Sequence, residues 1–163
     1  MSTTDFLFQN KIWNAQQTRF YNSRPHRRMW YDPDSLFVRN VLEKFIRFTA
    51  LDKNSRILEI GCGAGRYTIP LIQAGYPITA IDISRGMIEQ LRKDIADLNL
   101  PSGGYDIREA DIDFFEEERP GSFDAVIGFN VLHHLFDVSS SLAPVTKNSR
   151  DRKSTRLNSS HRL

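Results

Sequence analysis

The chain has 163 residues, 40% of them hydrophobic and 26% charged, with a formal net charge of +2. That apolar content supports one buried core and argues against a membrane protein, and no apolar run approaches the ~20 residues of a membrane span. The lone cysteine, Cys62, excludes an internal disulfide and fits a reducing cytosol, no Cys/His cluster points to a metal, and no cleavable leader or internal repeat is evident.

Residues 1–50 are rich in aromatics (Phe6, Phe8, Trp13, Phe20, Tyr21, Trp30, Tyr31) and in arginine (Arg19, Arg24, Arg27, Arg28). The arginines read as a solvated face in preference to an anion site. Asp34 or Ser35 is expected to cap a helix whose stripe of Leu36, Phe37, Val41, Leu42, Phe45 and Ile46 packs on a sheet.

Arg56 to Ile60 reads as a short buried parallel strand. It runs into Glu59-Ile60-Gly61-Cys62-Gly63-Ala64-Gly65, a turn where main chain can lie against a ligand. A helix should follow, with Tyr67, Ile69, Leu71, Ile72 and Ala74 apolar, Pro70 in its first turn and Gly75 at its C-terminal end. Strand, glycine turn and helix form the nucleotide-binding half of a doubly wound fold. The dinucleotide pattern G-x-G-x-x-G/A fails here, because Arg66 stands at its last position. No Gly-Lys-Ser/Thr follows, so a Walker loop is excluded. A carboxylate at Glu59 disfavours a pyrophosphate and suits a cationic or amino-bearing ligand.

Glu-x-Gly-x-Gly-x-Gly resembles motif I of the class I S-adenosylmethionine-dependent methyltransferases. The cofactor that this implies carries a sulfonium, an amino group and a carboxylate, and no phosphate. By the resemblance Glu59, Gly61, Cys62, Gly63 and Gly65 form its cradle. A nicotinamide-dependent oxidoreductase on the same fold is the competing enzyme class, and an inert truncation product the non-enzymatic alternative.

The next strand should run from Pro77 to Ile81 and end at Asp82, 21 positions after Gly61. That is close to the ~20-residue offset of an acid that binds ribose hydroxyls, the role the resemblance also implies. Ser84 can cap the following helix, 85–98, whose stripe is Met87, Ile88, Leu91, Ile95 and Leu98. Ile83 and Met87 read first as core; the resemblance adds contact with the adenine. After the turn residues 99–104, a strand over 105–110 leads to Asp111 and Ile112. The resemblance puts these two at the adenine, with Asp113 as competitor for the acid.

Residues 122–137, SFDAVIGFNVLHHLFD, contain a fourth strand, Phe123 to Gly128, apolar enough to be buried on both faces. They resemble the family's motif IV, which implies that Asn130 and Val131 line the cofactor pocket. His133 and His134 are the titratable pair nearest neutral pH, read as a base or as packing at a helix start. Methyl transfer from a sulfonium needs proximity above all, so a base is optional and no catalytic residue is assigned.

The resemblance covers roughly residues 31–147 and implies an α/β, Rossmann-like doubly wound parallel sheet. Its whole domains have seven strands in order 3-2-1-4-5-7-6; the first four, in order 3-2-1-4, are expected here, with a partial following helix over 140–147. Residues 1–50 would supply an N-terminal helical cap and the first helix, and residues 51–150 the cofactor-binding domain. The implied function is methyl transfer to a small-molecule acceptor in the cytoplasm, without nucleic-acid or membrane partners.

Residues 151–161, DRKSTRLNSSH, match one reading frame of a widely used sequencing adapter residue for residue. The natural sequence is therefore expected to end near Arg150, leaving a fragment whose fourth strand is an exposed apolar edge. Residues 151–163 carry a net charge of +3, so without them the formal charge falls from +2 to −1. The basic balance then gives little support to binding of nucleic acid or membrane.

Overall fold

The computed structural model describes residues 3–22, 34–115 and 122–147. The elements run α1 (Thr3–Asn22), α2 (Leu36–Thr49), β1 (Ile57–Ile60), α3 (Thr68–Gln73), β2 (Ile78–Asp82), α4 (Arg85–Asp97), β3 (Tyr105–Glu109), β4 (Ala125–Ile127) and α5 (Val138–Lys147). The four strands form one sheet in the order β3-β2-β1-β4, and every pairing is parallel. This is the order and direction expected from the sequence. Trp30, Tyr31, Arg24, Arg27, Arg28 and the 151–163 tail lie outside the described residues.

Strand periodicity divides the core into two layers. Ile57, Ile78, Ala80, Ile107 and Ile127 face α2, α3 and α4, with Val38, Leu42, Ile69, Leu71, Ile88, Leu91 and Ile95 packed on them. Leu58, Ile60, Ile81 and Val126 face the other way, onto Ile112, Phe115, Phe123 and Leu142 of α5. Burial on both faces explains the near-continuous apolar strands. β4 stands at the sheet edge, yet Ala125, Val126 and Ile127 are all buried. The fourth strand is thus the sheet edge, as expected, with its side chains buried on both faces.

Helix ends follow local chemistry. Ser35 and Ser84 accept from the N–H groups of Val38 and Met87, as N-caps do. At the end of α3, Gly75 has φ +79°, and the N–H groups of Gly75 and Tyr76 donate to the carbonyls of Ile72 and Leu71. This is a Schellman closure, and the left-handed residue after the cap is the expected glycine. Pro70 sits in the first turn of α3, where its missing N–H costs no helical bond. β2 begins at Ile78, one residue later than predicted, because Pro77 has no N–H for the ladder; its carbonyl accepts from Ile57.

Two stripe assignments need correction. Leu36 is 77% exposed and Phe37 half exposed, while Val38, left out of the predicted stripe, is fully buried. Leu98 is 45% exposed, because it is the C-cap of α4 and the chain turns away there.

Candidate functional site

The carboxyl ends of all four strands converge on a cavity of about 890 Å³. Its wall contains Glu59 of β1 with Gly61, Cys62 and Gly63 after it, Asp82 at the end of β2 with Ile83 and Met87 after it, Asp111 and Ile112 after β3, and Asn130 and Val131 after β4. Eleven of the twelve residues singled out from the sequence therefore share one space. A smaller hollow of about 490 Å³ lies at the opposite strand ends. Its charged residues Arg56 and Asp106 are already paired, with Asp124 and Arg108.

Gly65 is the exception. At φ +90°, a Cβ on it would lie 2.2 Å from Cδ1 of Leu91 and 3.2 Å from Cγ1 of Ile69. It is glycine because α4 packs there, and it is not part of the cavity wall. Gly61 combines two constraints: φ is +65°, and a Cβ would lie 2.3 Å from Cγ2 of Val131. A Cβ on Gly128 would fall 2.7 Å from Cγ1 of Val131. Val131 thus occupies the space left by two glycines and locks the β1 and β4 loops together.

Asp82 is held from both sides. Its Oδ2 accepts from the Gly63 N–H at 2.8 Å and its Oδ1 from the Ser84 N–H at 2.8 Å. A carboxylate has about four lone-pair sites, so acceptor capacity remains. Burial nevertheless raises the Asp82 pKa, outweighing the two N–H groups, which lower it. Helix capping at α4 is done by Ser84 itself, whose Oγ also donates to Asn22 at 2.7 Å.

Glu59 is 2% exposed, in register between Ala80 and Ile127. Thr68 of α3 donates to its Oε2 at 2.7 Å. Burial pushes its pKa up to about 8; the Thr68 bond lowers it and the Asp82 charge raises it. The carboxyl is therefore mostly protonated at neutral pH, and a cation placed beside it would favour the ionised form. Burial, with Glu59 and Asp82 nearby, also raises the Cys62 thiol well above its ordinary value.

Asp111 lines the cavity; Asp113 is not in its wall. The Asp111 Oδ1 accepts from the Asp113 N–H at 3.0 Å and its Oδ2 from Asn14 at 2.7 Å. Asp113 accepts from Asn10 at 2.7 Å and from Asn14 at 3.0 Å. Burial is the main cause of a raised Asp111 pKa.

These asparagines reveal what sequence reasoning missed. α1 crosses the cavity mouth and contributes Asn14, Gln17 and Tyr21 to the wall. Polar groups tie it down: the Trp13 indole N–H donates to the His134 carbonyl at 2.7 Å, and the Asn22 amide oxygen accepts from Ser84 and Gly86. The Tyr21 hydroxyl lies 2.7 Å from Nε2 of His134. Both histidines sit in a short 3-10 turn, Leu132–His134, and both line the cavity. Burial, with His133 adding, pulls the His134 pKa down to about 4. Tyr67 and Phe129, also missed, stack at 3.9 Å between ring centroids in the wall. Their aromatic character beside the glycine turn and motif IV was the available signal.

Among the described residues there is no group of three or more potential metal ligands, and no helix is long and apolar enough to cross a membrane.

With strand order, glycine turn and strand-end acids in place, comparison with known proteins gives the family. A family model described as a methyltransferase domain matches residues 58–151. The chain belongs to this methyltransferase family, whose class I members depend on S-adenosylmethionine. It is 30% identical over 118 residues to a ubiquinone biosynthesis O-methyltransferase of Ralstonia nicotianae, an alignment that covers 68% of this chain and 48% of that one. It is 33% identical over 106 residues to an S-adenosyl-L-methionine-dependent Diels-Alderase of Talaromyces variabilis, covering 65% and 36%. The chain thus spans half or less of the length of these relatives. Among solved structures, magnesium protoporphyrin IX methyltransferase of Synechocystis, with bound S-adenosylmethionine, shares the fold at a TM-score of 0.66 and 18% identity, covering 85% of this chain and 72% of that one.

Proposed function

We propose that this chain binds S-adenosylmethionine across the β1 turn and that the protein transfers its methyl group to a small-molecule acceptor in the cytoplasm. The observation that carries this reading is the anchored Asp82 carboxylate, facing the same cavity as Glu59 and Asp111. In this reading Asp82 takes the ribose hydroxyls, and the backbone of Gly61, Cys62 and Gly63 lies along the amino-acid part with Glu59 nearby. Asp111, Ile112, Ile83 and Met87 surround the adenine, while Asn130 and Val131 flank the sulfonium. Gly65 is withdrawn from contact and acts by packing.

When bound, the cofactor supplies an electrophilic methyl group, which moves by in-line displacement. The protein's task is then to orient two partners and exclude water. α1 and the His133–His134 turn form the wall where an acceptor would enter. His134, neutral near pH 7, offers a hydrogen-bond site there and is a weak base. No acid–base residue is required of the chain, and none is assigned.

Isothermal titration tests this reading. S-adenosylhomocysteine should bind in the micromolar range and lose that binding in Asp82→Ala. Tighter binding of NAD would replace the reading with an oxidoreductase. A non-cooperative melt of the chain would identify an inert fragment.

A further inference from the structure

The helix α1 is built inside out. Asn10, Asn14, Gln17 and Tyr21 recur at spacings of four, three and four, which puts them on one stripe. That stripe faces inward: Asn14, Gln17 and Tyr21 line the cavity, and Asn10 is buried against Asp113. Phe8, Ile12, Ala15 and Arg19 repeat the same spacing two positions earlier, about 200° round the helix. All four are exposed, Phe8 by 61% and Ile12 by 41%, and Lys11 is exposed beside them. A helix of a globular domain ordinarily turns its apolar stripe to the core and its polar residues to water. Here polar side chains fasten the helix and its apolar stripe faces out.

Two observations choose the occupant of that outer face. The first is size. The face is one helix wide, with Phe8, Ile12 and Ala15 as its apolar residues and Lys11 and Arg19 among them. A stable protein interface takes about 20–30 residues a side. A helix lying on a lipid surface needs only large apolar side chains with cations beside them. The second is charge. Residues 1–33 carry five lysines and arginines against two acids, a net of +3, while residues 34–150 carry 13 against 17, a net of −4. The whole-chain charge, which gives little support to membrane binding, conceals this division. A negative surface attracts the N-terminal part and repels the remainder, so it also orients the chain.

We propose that the outer face of α1 docks on an anionic lipid bilayer, with Phe8 and Ile12 entering the headgroup region and Lys11 and Arg19 meeting lipid phosphates. No described helix is long and apolar enough to cross a membrane, so α1 lies along the surface. Its inward stripe stays on the cavity, and docking therefore brings the cavity mouth to the lipid. The proposal does not depend on which cofactor the cavity holds.

Vesicle co-sedimentation of the whole chain tests it. Wild type should pellet with vesicles of phosphatidylcholine and phosphatidylglycerol, pellet far less with phosphatidylcholine alone, and be released as salt rises. Phe8→Asp/Ile12→Asp should bind the mixed vesicles about 10- to 100-fold more weakly. Lys11→Glu/Arg19→Glu should lose the preference for anionic lipid. Both double variants should melt with wild type, because the four side chains are exposed. Phe8→Trp supplies a positive signal: brominated lipid should quench its fluorescence more than that of wild type. A wild type that stays in the supernatant overturns the proposal. So does undiminished pelleting of either double variant, which would trace binding to charge elsewhere, such as residues 151–163. If wild type is a dimer by sedimentation equilibrium and Phe8→Asp/Ile12→Asp a monomer, with neither taking up vesicles, the face is an interface between copies and the proposal fails. A clear drop in the melting temperature of Phe8→Asp/Ile12→Asp would make the pair packing residues and overturn it as well.

Discussion

The Tyr21 hydroxyl and Nε2 of His134 are 2.7 Å apart and belong to residues 113 positions apart in sequence. Their rings meet edge to face, with centroids 5.3 Å apart. With the Trp13 bond to the His134 carbonyl, this contact holds α1 against the loop that follows β4. Tyr21→Phe should therefore loosen α1 without unfolding the sheet. A lost hydrogen bond of this kind is worth about 0.5–1.5 kcal/mol. The expected outcome is faster proteolysis within α1 and weaker S-adenosylhomocysteine binding by about 2- to 10-fold, at an almost unchanged sheet stability.

Glu59 and His134 shape the pH dependence of stability from opposite sides. The Glu59 pKa is raised from 4.5 to about 8, so between these values the folded state holds a proton that the unfolded state has lost. Its contribution to stability therefore falls as pH rises through that window. The His134 pKa is lowered from 6.5 to about 4, so the unfolded state binds the extra proton. Its contribution falls as pH drops through that lower window. Denaturant melts from pH 4 to 8 should show Glu59→Gln flattening the alkaline slope and His134→Gln flattening the acid one.

The same Glu59 predicts a proton count on binding. A ligand ammonium near this carboxyl should ionise it and release a proton at pH 7. Titration with S-adenosylhomocysteine in buffers of different ionisation enthalpy should show release in wild type and markedly less in Glu59→Gln. Equal release in both would separate Glu59 from the ligand's amino group.

Gly61→Ala meets two obstacles, a left-handed backbone and the side chain of Val131. Strain of this kind costs about 1–3 kcal/mol, and overpacking about as much again. Val131→Ala should remove the second cost only. Urea melts should find Gly61→Ala/Val131→Ala less destabilised than the sum of the single changes. Simple additivity would mean that Val131 is not what confines Gly61.

The parallel sheet and its order were legible because each strand is a short apolar run followed by turn residues. That Glu59, Asp82, Asp111 and Asn130 would share one cavity was legible for a related reason: the fold gathers strand ends, so residues distant in sequence need only lie at or just after the ends of their strands. Gly65 misled because a glycine demanded by Leu91 looks like one demanded by a ligand. α1 was the least legible part. It is fastened by Asn10, Trp13, Asn14, Tyr21 and Asn22, while Leu7, Phe8, Ile12 and Phe20 remain exposed. Apolar periodicity cannot report a helix held by polar side chains.

Cys62 gives the chain a built-in clock. It is the sole thiol, sits in the glycine turn, is 5% exposed and resists ionisation. A thiol so buried is alkylated only when the turn around it opens, so its rate measures how often that happens. Iodoacetamide should label native protein slowly and unfolded protein fast. Tyr21→Phe should speed the native reaction, and S-adenosylhomocysteine should slow it. One mass shift of one residue would then time the opening of the site before any acceptor is known.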